Sequence, residues 1–134
     1  MERGIRMTLV AAFTIPGQPL PKQRPRFGGG HGYTSKATRD AEARVALSFT
    51  EQAGATHAVT EPLTGFLKFV ARYYRRNNVT ADLDNCLKLT TDALNGIAWV
   101  DDRQIKSIRA DMAVDPDNPR TEIEIWTLGE EEPT

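Results

Sequence analysis

The chain predicts an α/β (α+β) fold in which a small mixed sheet of about four strands packs with two main helices, in the order β-α-β-α-β-β. Three observations lead there. Apolar residues alternate with others at Leu9/Ala11/Phe13/Ile15, Leu67/Phe69/Ala71/Tyr73 and Ile123/Ile125, the period of a strand. Between them lie two stretches with apolar residues three and four apart, the period of a helix. At 134 residues with 40% hydrophobic content the chain holds one core and no second. A single domain, 1–134, is therefore expected, with 1–7 and 129–134 fraying at its ends.

The first strand is expected over Thr8 to Ile15, apolar on both faces and so interior, ended by Pro16-Gly17. From Gln18 to Tyr33 the chain carries three prolines, four glycines and the cations Lys22, Arg24 and Arg26, which reads as a loop because proline removes donors and glycine removes side chains. A helix follows, capped by Thr34 or Ser35, with Ala41, Val45 and Phe49 at four-residue spacing, running to Ala53 and stopped by Gly54. A second strand is expected from about Leu63 to Tyr74. Asp84 or Asn85 caps the second helix, whose inner face is Leu83, Leu87, Thr90/Thr91 and Leu94 and whose outer face is Asp84, Lys88 and Asp92; Asn95-Gly96 closes it. Two more strands, around Ile108/Ala110/Met112 and Ile123/Ile125, flank a turn at Asp115 to Pro119.

Composition excludes several classes. The longest apolar run, Thr8 to Ile15, is far short of the roughly 20 residues of a membrane span, and the Met-Glu-Arg start has no apolar signal region. A soluble cytoplasmic protein is the expectation. The one cysteine, Cys86, forms no internal disulfide and matches no zinc spacing, so it reads as a small buried apolar residue. His31 and His57 read as loop residues without a ligand role. A net charge of −1 conceals an asymmetry: residues 1–81 carry 12 Lys+Arg against 5 Asp+Glu, and residues 82–134 carry 5 against 13. The basic half suits a polyanion.

The chemistry concentrates between Asp82 and Ile105. Asp82 and Asp84 flank Leu83, so in extended backbone both carboxylates would leave one side about 7 Å apart at Cα. Lys88 follows Asp84 by one helical turn, where an ammonium group can meet a phosphate. Asp101 and Asp102 follow Trp99, read as a buried anchor, and a reversal at Gly96 would return them toward the helix start. Singly these aspartates are caps and solvated i,i+4 partners; four of them converging would repel each other unless a cation lay between. Carboxylates together with phosphate oxygens are the donors that Mg²⁺ and Mn²⁺ prefer. For the basic residues, Lys22, Arg24 and Arg26 offer phosphate contacts, and Tyr73-Tyr74-Arg75-Arg76 offers further grip, with one tyrosine given to the core.

DLDN followed by Lys88, then DALNG, then WVDDRQI, resembles the RusA family of Holliday junction resolvases, and PLPKQRPR with the following YTS is similar to that family's N-terminal region. The resemblance spans Phe13 to about Trp126. It implies that Asp82, Asp84 and Asp102 are the acidic metal-binding and catalytic residues and Lys88 the catalytic lysine, with Asp101 as the neighbouring carboxylate of the pair. Cys86 stands where an aliphatic residue is expected. It further implies a homodimer, a mixed sheet with helices, and Mg²⁺-dependent paired nicking of four-way DNA in recombination and repair, in a bacterial or phage-infected cell. Mn²⁺ is expected to substitute for Mg²⁺. A two-fold dimer suits symmetric cuts in two strands. Two other readings stand beside it: a metal-dependent nuclease of flaps or other branched DNA, and a non-catalytic DNA-binding protein whose aspartates are caps.

Overall fold

The computed structural model describes residues 5–23, 26–28, 31–56, 59–77 and 82–130. Along the chain come β1 (Ile5–Pro16), β2 (Arg26–Gly28), β3 (His31–Tyr33), α1 (Lys36–Thr56), β4 (Leu67–Arg75), α2 (Leu83–Leu94), a 3₁₀ turn (Asp102–Gln104), β5 (Ile105–Val114) and β6 (Arg120–Glu130). Four strands form one mixed sheet in the order β1-β6-β4-β5; β4 and β5 are parallel, and β6 runs antiparallel to both β1 and β4. The expected element order and the two helices are all present.

β4 is an interior strand, between β6 and β5. Leu67, Phe69, Ala71 and Tyr73 are buried on the helix side, and Val70 is buried on the other. β1 differs from expectation: it is an edge strand, and of its apolar residues only Ala11, Phe13 and Ile15 are buried. A register shift between Leu9 and Ala11 separates these three from Ile5, Met7 and Leu9, which stay exposed. Pairing reaches Ile5↔Glu130, so residues 5–7 and 129–130 are held in the ladder where fraying was expected; each of these backbones has a partner strand to bond.

Both helices lie on one face of the sheet. Ser35 Oγ accepts from the Thr38 N–H at 3.2 Å, the cap expected of it, and Ala41, Val45 and Phe49 are buried. Phe49 meets Phe13 of β1 edge to face at 5.5 Å. The helix continues through Gly54 to Thr56, because a helix interior tolerates one glycine for about 1 kcal/mol. α2 buries Cys86, Leu89, Thr90, Ala93 and Leu94, leaving Leu83 and Leu87 only packed against the core's edge. Its buried face is thus turned from the one the leucines suggested. Tyr73 and Thr90 hydroxyls bond at 2.8 Å across the β4–α2 contact, which satisfies two buried polar groups at once. Tyr73 is the core tyrosine of its pair.

Two further differences concern the connections. The expected loop 18–33 contains the hairpin β2–β3, paired Arg26↔Tyr33 and Gly28↔His31. Leu63 to Phe66 lies outside β4: Leu63 forms a parallel bridge to Trp99, and backbone bonds Leu63 N–H to Ala98 and Val100 N–H to Leu63 fix that crossing. Gly96, at φ 81°, supplies the left-handed turn that sends the chain from α2 toward Trp99.

Candidate active site

α2 begins where β4 has ended and runs back along the sheet. Its cap is Asp82 rather than Asp84 or Asn85: Asp82 Oδ1 accepts the Asp84 N–H at 3.1 Å, and its other oxygen meets the Asn85 amide at 3.4 Å. The capping oxygen satisfies a donor that the first helical turn leaves open. Asp82 and Asp84 are accordingly not the extended pair expected; Asp82 folds onto the helix end and Asp84 stands in its first turn, exposed. Among the described residues the Asp84 carboxylate has no hydrogen-bond or ion-pair partner.

Lys88 shares the Asp84/Asp92 face, as the spacing predicts, and its side chain is 63% exposed. It leans down the helix to Asp92, Nζ to Oδ2 3.5 Å. Asp92 is also held by Lys22 at 3.2 Å, and Lys22 bonds Glu42 of α1 at 3.0 Å. Burial disfavours the Lys22 charge, yet the bonds to Glu42 and Asp92 outweigh it and raise its pKa. Lys22 therefore fastens the loop to both helices, an arrangement that its backbone bond to Asn85 O at 2.8 Å completes. The residue expected to contact phosphate thus joins the loop to both helices.

Arg75 is also turned inward. Its guanidinium donates to Pro19 O at 2.5 Å and lies against Cys86. Cys86 is buried, as expected, and burial pushes its thiol up while Arg75 pulls the other way. Arg76 is exposed, with its backbone N–H bonded to Gln18 at 2.7 Å. Arg26 lies in β2, whereas Arg24 and His57 fall outside the described residues.

The second acidic pair forms its own small structure. Trp99 is fully buried, packs edge to face on Phe69 at 5.8 Å, and donates its indole N–H to Asp102 Oδ1 at 2.7 Å. Asp101 is turned away: it caps the 3₁₀ turn, accepting the Arg103 N–H and Nε at 3.0 Å. Those bonds hold its carboxyl below the usual range, the backbone bond contributing most. Gln104 completes a capping box, receiving the Val100 and Asp101 N–H groups while donating to Leu63 O and Gly65 O. The one local sequence signal for this Gln104 hub is the capping-box spacing Asp101-x-x-Gln104.

The reversal at Gly96 does not carry Asp102 back to the head of α2. Asp82 caps one end of that helix, while Trp99 bridges Asn95 at the other and Ile105 pairs with Leu67 at the start of β4. Twelve residues of α2 separate the ends, about 18 Å at 1.5 Å per residue. Oxygens sharing one Mg²⁺ lie within about 4 Å of each other, since each sits 2.0–2.1 Å from the ion. Within one protomer the described residues accordingly form no group of three or more acidic, His or Cys side chains fit to hold a metal.

No described helix is long and apolar enough to cross a membrane. No curated protein matches the chain. The model of the endodeoxyribonuclease RusA family matches residues 16–126, an interval that takes in the Asp82 cap, Lys88 and the Trp99–Asp102 pair, and the chain belongs to that family of DNA endonucleases.

Proposed function

We propose that the protein is a Mg²⁺-dependent endonuclease that resolves four-way DNA junctions by paired nicks, acting as a homodimer in the cytoplasm. The carboxylate pair at the head of α2 carries the reading: Asp82 and Asp84, the latter without a partner among the described residues, present hard oxygen donors beside an exposed lysine, in a chain of an endodeoxyribonuclease family. Their chemistry fits Mg²⁺, with Mn²⁺ as a substitute. Such an ion supplies Lewis acidity toward the phosphodiester and the attacking water. Lys88, on its flexible stem, swings from Asp92 to the scissile phosphate and offsets the charge that accumulates there during attack. Asp102, aimed by the Trp99 indole, supplies the third carboxylate.

Because α2 holds Asp102 far from Asp82 within one chain, that third carboxylate comes from a second protomer. β5 is an open edge of the sheet, with Ile108 51% exposed and Leu83 and Leu87 partly covered nearby. Antiparallel pairing of two β5 edges about a two-fold axis sets α2 beside its copy in the opposite sense, so Asp82 and Asp84 face the partner's Asp102. Two equivalent sites result, one for each strand to be cut.

The test is cleavage of a fixed four-way junction, a flap and a linear duplex with Mg²⁺, Mn²⁺ or EDTA, using wild type and Asp82→Asn. Symmetric nicks in the junction, lost with EDTA and in the variant, are expected. Preference for the flap would favour a general branched-DNA nuclease, and binding without cutting in either metal would leave a DNA-binding protein.

A further inference from the structure

Phe66 is 60% exposed at the mouth of β4, an unusual place for a phenyl ring. It borders an open groove of about 460 Å³, whose other walls include Val100, Asp101, Arg103, Gln104 and Lys106. Lys106 Nζ lies 5.1 Å from the ring centroid, and the Arg103 side chain is 89% exposed. We infer that this groove is a stacking platform for a nucleobase left unstacked at the branch point of DNA, with Phe66 as the stacking surface and Lys106 and Arg103 meeting the adjoining phosphates. The inference rests on the reading of the protein as a branched-DNA enzyme.

Three observations carry it. The ring sits on a rigid frame: Gln104 donates to Leu63 O and Gly65 O, and Leu128 donates its N–H to Phe66 O at 2.9 Å. A surface phenyl ring held in place loses little entropy on binding, whereas one on a loose loop would have to be ordered first. The charge around it is complementary to nucleic acid, because the one wall anion, Asp101, is already paired to Arg103 Nε at 3.0 Å, leaving Lys106 uncompensated. Aromatic faces beside cations are how proteins hold unpaired bases without reading sequence. The groove is also contiguous with the Asp102 turn, so a base docked there lies next to one half of the proposed cleavage site. A branch point offers unstacked bases; a continuous duplex does not.

Phe66→Ala should weaken binding to the four-way junction, in EDTA, by roughly 5- to 100-fold, the loss that one base–aromatic stack represents. Linear duplex binding should change less than twofold, and Phe66→Trp should restore the junction affinity. Lys106→Ala should instead flatten the salt dependence of junction binding by about 0.7 to 0.9. Sedimentation of the free proteins supplies the control. Equal losses on junction and duplex, or no loss on either, would overturn the platform, as would a change of oligomeric state in Phe66→Ala, which would assign the ring to a second copy of the chain. Failure of the wild type to prefer the junction over duplex would overturn the enzyme reading as well, and so separates the two.

Discussion

Trp99 donates its indole N–H to Asp102 Oδ1 at 2.7 Å while its ring is buried against Phe69. The bond links the protein core to a carboxylate at the surface turn, so Asp102 is aimed by a fully buried side chain. Trp99→Phe keeps the aromatic packing but removes the donor. It should destabilise the fold by about 2 kcal/mol, part from lost volume and part from a bond to a charged acceptor. Urea unfolding measures this, and unchanged stability would show that the bond is not made in solution. Half-maximal cleavage by the same variant should need more Mg²⁺.

Asp82 has a folding role separable from its proposed chemistry. Asn is as good a cap as Asp, so Asp82→Asn should unfold within about 0.5 kcal/mol of wild type, whereas Asp82→Ala should lose about 1 kcal/mol. Both should fail to cut DNA. Cleavage by the folded Asp82→Asn protein would reduce Asp82 to a cap.

The placement of Asp82 and Asp102 at opposite ends of α2 makes a complementation experiment decisive. Asp82→Asn and Asp102→Asn homodimers should each be inactive. Mixed after subunit exchange, they should regain nicking, because one site of the heterodimer then collects both substitutions and the other collects none. Sites contained within single chains would leave every site damaged and the mixture silent.

Lys22 and Arg76 should separate by readout. Lys22→Met breaks the link between Glu42 and Asp92 and should cost about 1 kcal/mol of stability. The salt slope of DNA binding should not change. Arg76→Ala should leave stability alone and flatten that slope by about 0.7 to 0.9 if the guanidinium meets a phosphate.

Acid sensitivity follows from the carboxylates whose pKa values are lowered in the fold. Asp40 is held down chiefly by its bond to Lys36, Asp101 by the Arg103 backbone N–H, and Asp115 by Arg120. A depressed folded pKa contributes stability that is present above the unfolded value, near 3.9, and is lost as pH falls through the folded one. Urea midpoints should therefore decline below about pH 4. The decline should be shallower in Asp115→Asn, and an identical slope in that variant would remove Asp115 from the account.

The elements and their order are legible in the residues alone, because strand and helix periods are local and survive in Leu67–Tyr73, Ala41–Phe49 and Ile123–Ile125 without any partner. The same local pattern places Asp84, Lys88 and Asp92 on one helix face, and it marks Trp99 as an anchor and Cys86 as core. Local pattern did not reach as far as neighbours. That β1 lies at an edge depends on β6 being its one partner among the described strands, and that α2 buries Cys86 and Leu89 more deeply than Leu83 and Leu87 depends on where β4 stands beneath it. The inward turn of Lys22 and Arg75 likewise needed Glu42, Asp92 and Pro19, residues up to 70 positions away in the case of Asp92. Spacing along the chain suggests that Asp102 returns to Asp82, but long-range packing holds them apart: a helix is a rigid rod, and its length separates the two carboxylates.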